Sequence, residues 1–403
     1  MLSIKKLGPG LLFAGAAIGV SHLVQSTKAG ADFGLGLLWA LLLVNLFKYP
    51  FFQIGPRYAS ATGESLLDGY KKLGKSVLSV YFILTLATMF TIQTAVTIVT
   101  AGLATSLFGD FIPIKVWTII ILFICGAILF FGKYRLLDRL MKIIIVTLTV
   151  STILAVILAL YKSNSTLSVS QVLPKGTLEI SFLIAFMGWM PAPLDISVWH
   201  SLWTVEKEKH TIERDLKASL FDFNIGYITA IFLGIGFLLL GALVMFNSGE
   251  NFSAKAGVFS NQLITMYASS LGDWSYIIIG LAAFTTMFST TLTTLDASPR
   301  AMNKTIELLT NKKQKFGYAF WIMLLILGTI FIFFVFFSEM GLLIKIATIL
   351  SFITAPFYAV INYVLISSKH TPKKWRPNQP LHIHSILGIL FLIGFSVWYL
   401  TIL

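Results

Sequence analysis

The residues with the most chemistry to offer lie where this chain is least able to form a helix. In Met187-Gly188-Trp189-Met190-Pro191-Ala192-Pro193-Leu194-Asp195, a soft sulfur, two prolines and a carboxylate follow one another inside an apolar run expected over 178–203. Pro191 and Pro193 lack an N–H and clash with the preceding turn, so the helix is predicted to break near Met190 and to resume after Pro193. Bare backbone at mid-bilayer depth persists only where protein or a polar cavity covers it, and in transporters that cavity is usually the binding site. Asp195 is read into the first turn of the second half-helix, where the dipole favours an anion. A proline kink capped by an aspartate would need no ligand at all.

A second candidate lies in the first apolar run. Gly10, Gly15, Gly19 and the stretch Gly19-Val20-Ser21-His22 are poor in helix formers, and His22 is an imidazole near the middle of a span. Such a histidine faces a partner or a cavity, although one backbone carbonyl would satisfy it, and close helix packing alone accounts for glycines. Gln93 lies among the threonines 88–100 of the third run, and Ser289, Thr290 and Thr293 belong to a dense hydroxyl stripe in the eighth. Their oxygens suit a coupling ion, sodium first, or they bond their own helix carbonyls. Lys48 sits inside the second run, where it pairs with an acid or, as the safer reading, snorkels toward the cytoplasm. Cys125 is read as a buried inert thiol, and no His, Cys or acid spacing resembles a metal site.

These groups must be positioned by membrane helices. With 403 residues, 57% hydrophobic and 12% charged, and a mean hydropathy of +0.85, the chain reads as a polytopic, all-α membrane protein. Eleven spans are expected, at about 9–29, 35–56, 77–107, 114–131, 138–161, 178–203, 219–246, 274–297, 317–337, 342–367 and 384–402. Of the 30 Lys and Arg, 23 fall on alternate connections, among them Lys5, Lys6, Lys133, Lys209 and Arg214, while six, including Lys28, Lys255 and Lys345, fall on the other side. That asymmetry places the N-terminus in the cytoplasm and the C-terminus outside, in what is expected to be a bacterial inner membrane. The net charge of +13 is therefore read as topology, with no nucleic-acid partner. No nucleophile–base pair or phosphate loop suggests an enzyme, and no cofactor is expected.

Eleven spans with a broken sixth suggest an inverted repeat with a matching break in the first. Gly8-Pro9-Gly10, Ala29-Gly30 with Phe33-Gly34, Asn45-Leu46, Ala61-Thr62-Gly63, Leu107-Phe108-Gly109 and Met190-Pro191 together resemble the NRAMP family of divalent-metal transporters over nearly the whole chain. The resemblance implies a LeuT-type 5+5 inverted repeat with discontinuous helices 1 and 6, plus an eleventh helix. The single transporter domain would hold repeat one at about 8–162, repeat two at about 178–368 and helix 11 at about 384–402.

The same resemblance implies a changed chemistry. The family's metal-holding Asp and Asn fall on Gly19 and His22, its span-6 His on Ala192, and its acidic proton-route pair on Gln93 and Val96. A small organic solute bearing a carboxylate is therefore favoured. It would be bound by Gly19, Val20, Ser21, His22, Met187, Met190, Ala192 and Asp195, with Gln93, Ser289, Thr290 and Thr293 serving a sodium or proton coupling site. The alternative is a divalent-metal transporter with a remodelled site built from Met190, Asp195 and His22.

Overall fold

The computed structural model describes residues 8–109, 111–131, 134–162, 168–208, 215–246, 252–253, 256–335 and 340–402. Lys5, Lys6, Lys133, Lys209, His210, Arg214 and Lys255 lie outside the described residues. In chain order the helices are α1 (Pro9–Ala17), a π-helical turn (Ser21–Ser26), α2 (Thr27–Phe33), α3 (Leu38–Thr62), α4 (Leu66–Leu73), α5 (Lys75–Phe108), α6 (Ile114–Phe131) and α7 (Tyr134–Lys162). They continue as α8 (Thr177–Trp189), α9 (Ile196–Glu208), α10 (Leu216–Val244), α11 (Ala256–Leu271), α12 (Ser275–Thr310), α13 (Gly317–Val335), α14 (Met340–Ser367) and α15 (Gln379–Leu400).

Among the described residues nine helices are long and apolar enough to cross a membrane, and α1 with the Ser21–Phe33 segment forms a tenth crossing bent by 47°. With α8 and α9 as the two halves of one more crossing, the eleven expected spans are present. Two helices were not expected. Amphipathic α4 is opened by a capping box in which Ser65 and Asp68 exchange bonds, and α11 lies between the seventh and eighth spans. Span 8, expected to end near 297, continues as α12 to Thr310 through Pro299.

The fold is arranged around α10, which runs beside both halves of span 1. Small residues make this approach possible. A Cβ on Gly10 would lie 2.0 Å from the Asp222 carbonyl oxygen, one on Gly226 2.0 Å from that of Gly10, and one on Gly30 2.0 Å from that of Leu238. The same helix supplies the start of α1 with an anion. The Asp222 carboxylate accepts the Gly8 N–H at 2.9 Å and the Gly10 N–H at 3.0 Å, while Pro9 has no N–H to leave unsatisfied. Lys207 lies 3.8 Å from the same carboxylate. Asp222→Ala would strand two buried N–H groups, so it is expected to lower stability by about 1–3 kcal/mol, read as a lower melting temperature. A melting point equal to the wild type's would show that α1 is held by packing alone.

Two further polar devices fix the frame. Asp296 on α12 accepts from Arg300 at 2.6 Å, from the Tyr318 hydroxyl of α13 at 2.6 Å and from Trp203 Nε1 of α9 at 3.3 Å, tying three helices together. Pro50 inside α3 leaves the Leu46 carbonyl without its helical donor, and His384 of α15 lies 2.8 Å away to supply one.

Candidate functional site

Both expected breaks exist, and they face each other. Helix α1 ends at Ala17 and helical backbone resumes at Val20, while α8 ends at Trp189 and α9 starts at Ile196. The first break therefore covers Ile18–Gly19 and stops short of His22, because the N–H groups of His22 and Leu23 close onto the Gly19 carbonyl. In the second, Asp195 is the residue before α9 and not part of its first turn, since its carbonyl accepts from Val198 and Trp199.

Between the breaks lies a cavity of about 20 Å³, room for about one water. Its wall includes Gly19, Val20 and Ser21 from span 1, Trp189, Pro193 and Trp199 from span 6, Ile92 and Val96 from α5, and Thr290 and Thr294 from α12. None of these carries a charge. A larger cavity of about 270 Å³ opens at the Val24–Lys28 side, lined by Gln25, Lys28, Phe182, Phe252, Phe259 and Lys345 among others. Gln25 Oε1 is buried there without a hydrogen-bond partner. Lys28 is paired with Asp32 at 2.8 Å.

Gly19, Val20 and Ser21 thus share one cavity, and the remaining candidates are distributed around it. The His22 ring is wholly buried and turned onto α10, with Nε2 2.9 Å from the Ala230 carbonyl. A carbonyl only accepts, so Nε2 carries the hydrogen, and Nδ1 lies 2.6 Å from Ser21 Oγ. Met190 packs its sulfur toward Gly234, one turn along the same helix. Met187 and Ala192 are buried, and their carbonyls accept from Lys48. Asp195 is buried with Oδ1 unpartnered. Among the described residues no group of three or more His, Cys, Asp or Glu could hold a metal ion.

Lys48 corrects the sequence reading. It does not snorkel: its side chain is fully buried and its Nζ donates to the carbonyls of Met187 (2.8 Å), Gly188 (2.7 Å), Met190 (3.1 Å) and Ala192 (3.2 Å). The aromatic cavity wall, Trp189 and Trp199, was also missed. Its sequence signal is a pair of tryptophans flanking the Pro-Ala-Pro break.

The hydroxyl stripe is well bonded. Gln93 donates to the Thr291 carbonyl at 3.2 Å and accepts from Thr294 Oγ1 at 2.6 Å. Thr293 donates to its own helix, to Ser289 O at 2.9 Å or Thr290 O at 3.0 Å. Thr290 has a choice of acceptors: its hydroxyl lies 3.2 Å from the Thr286 carbonyl of its own helix, and also 3.2 Å from the Gly15 carbonyl and 3.3 Å from that of Ile18, across the gap to span 1. One hydroxyl proton serves one of those carbonyls at a time. Ser289 lies on the same stripe, buried one residue earlier.

Comparison with known proteins places this geometry. The family described as natural resistance-associated macrophage protein-like, Nramp, matches residues 10–401. An uncharacterised protein of Pasteurella multocida is 35% identical over 402 residues, covering 98% of this chain and 92% of its own. Among solved structures, a manganese transporter of Eremococcus coleocola in complex with an aromatic bis-isothiourea compound superposes with a TM-score of 0.76 at 13% identity, over 97% of this chain and 85% of that one. MhsT in complex with L-phenylalanine gives 0.68 at 14% identity, over 99% and 98%. Mhp1, a nucleobase-cation-symport-1 family transporter, gives 0.63 at 14% identity, over 98% and 92%. At such identities these three show the fold, and that fold is the LeuT type with discontinuous helices 1 and 6.

Proposed function

The chain belongs to the Nramp family, integral membrane transporters and not enzymes, and from that premise we propose that it is a secondary transporter of a small organic solute bearing a carboxylate. The observation that carries this reading is the uncharged wall of the cavity between the breaks. A divalent ion stripped of water needs anionic or strong dipolar oxygens, and neither the carboxylate of Asp195 nor the sulfur of Met190 lines that cavity. The space between the breaks has room for about one water, so the breaks must part to admit a solute; the solute needs aromatic contact and a few polar groups, and Trp189, Trp199, Ser21 and the backbone at Gly19–Val20 offer those. The first N–H groups after the break, at Val20 and Ser21, suit a carboxylate. The vestibule with Lys28, Lys345 and the orphaned Gln25 carbonyl would admit it, from the side that the Lys and Arg distribution makes extracellular.

The second reading, divalent-metal transport, has the manganese transporter of the same fold behind it. Thermal unfolding of the purified protein separates the two. Small amino acids or other carboxylates are expected to stabilise the folded protein by roughly 2.7 kcal/mol at a hundredfold excess over Kd, read as a melting temperature that climbs with the logarithm of ligand concentration. Stabilisation by micromolar Mn²⁺ with no carboxylate effect would overturn the organic-solute reading.

We place sodium between the first break and α12, at Thr290 with Ser289 and Thr293 beside it. Turning the Thr290 proton aside leaves that oxygen and the carbonyls of Gly15 and Ile18 around one point. Gln93 stands where the family's resemblance expected an acid, so a proton route through α5 lacks its carrier. Thr290→Val is expected to weaken sodium stimulation of uptake in liposomes at least about tenfold, or 1.4 kcal/mol. Uptake driven by a proton gradient and indifferent to sodium would refute this placement.

A further inference from the structure

Four main-chain carbonyls converge on one ammonium group at the break of span 6, an arrangement that the proposed transport does not use. We propose that Lys48 is a tethered cation: its ammonium fills, from within the chain, a carbonyl cage that would otherwise accept a free cation, and so makes this family member selective against metal ions. The inference deepens the organic-solute reading and rests on it.

The cage follows from the break. Ending α8 at Trp189 leaves its last carbonyls without helical donors, and these gather at the negative end of the helix dipole. Met187 and Gly188 contribute from that last turn, and Met190 and Ala192 from the irregular stretch beyond it. Four partial negative charges facing one point in a dry interior attract a cation. The distances of 2.7–3.2 Å are those of N–H···O bonds, longer than the roughly 2.0–2.6 Å of Mg²⁺ or Ca²⁺ to oxygen. An ammonium has three hydrogens for four acceptors, so one is shared, and the cage is filled to its limit.

Helix α3 can deliver this group because it approaches span 6 nearly backbone to backbone. A Cβ on Gly55, two turns beyond Lys48, would lie 2.3 Å from the Ser197 carbonyl of α9. The cation is supplied by the chain, and a transported metal would have to displace it.

The experiment deletes the tether and returns the ammonium as a small molecule. Lys48→Ala, purified in detergent, is expected to melt on the order of 5 °C below the wild type. n-Propylammonium, which replaces the deleted atoms, is expected to restore the melting point saturably in the variant and to leave the wild type unmoved. Tetramethylammonium, with no N–H to donate, is expected to restore nothing. Equal melting of variant and wild type, or no difference between the two amines, overturns the proposal. If Lys48→Ala cannot be purified, Lys48→Met keeps the stem without the ammonium: a wild-type melting point in that variant overturns the proposal and a lowered one supports it. One-to-one binding of micromolar Mn²⁺ by the wild type, with n-propylammonium competing for it in Lys48→Ala, also overturns it, because the cage would then be open to metal. Carboxylate binding is scored separately on the wild type, so its failure sinks the organic-solute reading while the rescue of Lys48→Ala still tests the cage.

Discussion

Gly19→Asp is expected to abolish uptake without creating a site for Mn²⁺. The resemblance to the metal-transporting family places a metal-holding acid at this position, so the substitution restores a group whose loss is here read as a change of substrate. In this chain the new side chain has no room and no allies. Its Cβ alone would lie 2.7 Å from Thr290 Oγ1 and 2.8 Å from Thr290 Cγ2, so α1 and α12 must separate before the carboxylate is placed. The carboxylate would then stand near the carbonyl end of α1, where the dipole disfavours an anion, and against the carboxylate of the proposed solute. The other ligands a metal would recruit are engaged elsewhere: His22 Nε2 bonds the Ala230 carbonyl, and the Met190 sulfur packs toward Gly234. Gly19→Ala separates size from charge. It is expected to keep part of the uptake at an overpacking penalty of about 1–3 kcal/mol, whereas Asp keeps none. Isothermal titration of Gly19→Asp with Mn²⁺ is the decisive measurement. Micromolar binding in the variant would show that one acid completes a latent metal site, and the organic-solute reading would fall.

How far the site could be read from sequence depended on the kind of information each residue needed. Pro191, Pro193 and Gly19 act on their own backbone, so the two breaks were legible to within a few residues. The π-helical turn at Ser21–Ser26 was not, because a five-residue hydrogen-bond step is set by what packs beside it, and here His22 is drawn onto a carbonyl 208 residues away. Lys48 was visible as a charge in an apolar span, but its acceptors lie 139 to 144 residues further along. A lysine stem reaches solvent or core equally well, and only the position of the neighbouring helix decides. Asp195 failed differently. It lies in an irregular segment with no helical period to project, so nothing in the sequence said that it is buried outside the cavity whose wall holds Gly19. The glycines of span 1 had two readings from the start: Gly10 is a packing contact with α10, and Gly19 lies in the cavity wall.

The packing glycines carry the largest expected effect on folding. Gly226→Ala adds one methyl group at a point 2.0 Å from the Gly10 carbonyl oxygen and 2.7 Å from its carbon, and neither atom belongs to a side chain that could swing aside. Relief requires α1 to leave α10, which also draws the Gly8 and Gly10 N–H groups from the Asp222 carboxylate. A penalty above the usual overpacking range of about 1–3 kcal/mol is expected, enough to remove most folded protein from a detergent extract. Gly394→Ala on α15 is the matched control, because nothing lies within 4 Å of its added Cβ and alanine is the better helix former by about 1 kcal/mol. Gly241→Ala tests the other end of the same helix, where the Cβ would meet the Thr27 carbonyl at 2.1 Å. Because span 1 is broken, the two substitutions should act on different halves: Gly226→Ala exposes α1 amides and Gly241→Ala those of α2, as read by hydrogen exchange on whatever folded protein survives. Exchange that rises equally in both halves for either variant would mean that the first break is no hinge, and that span 1 moves as one body.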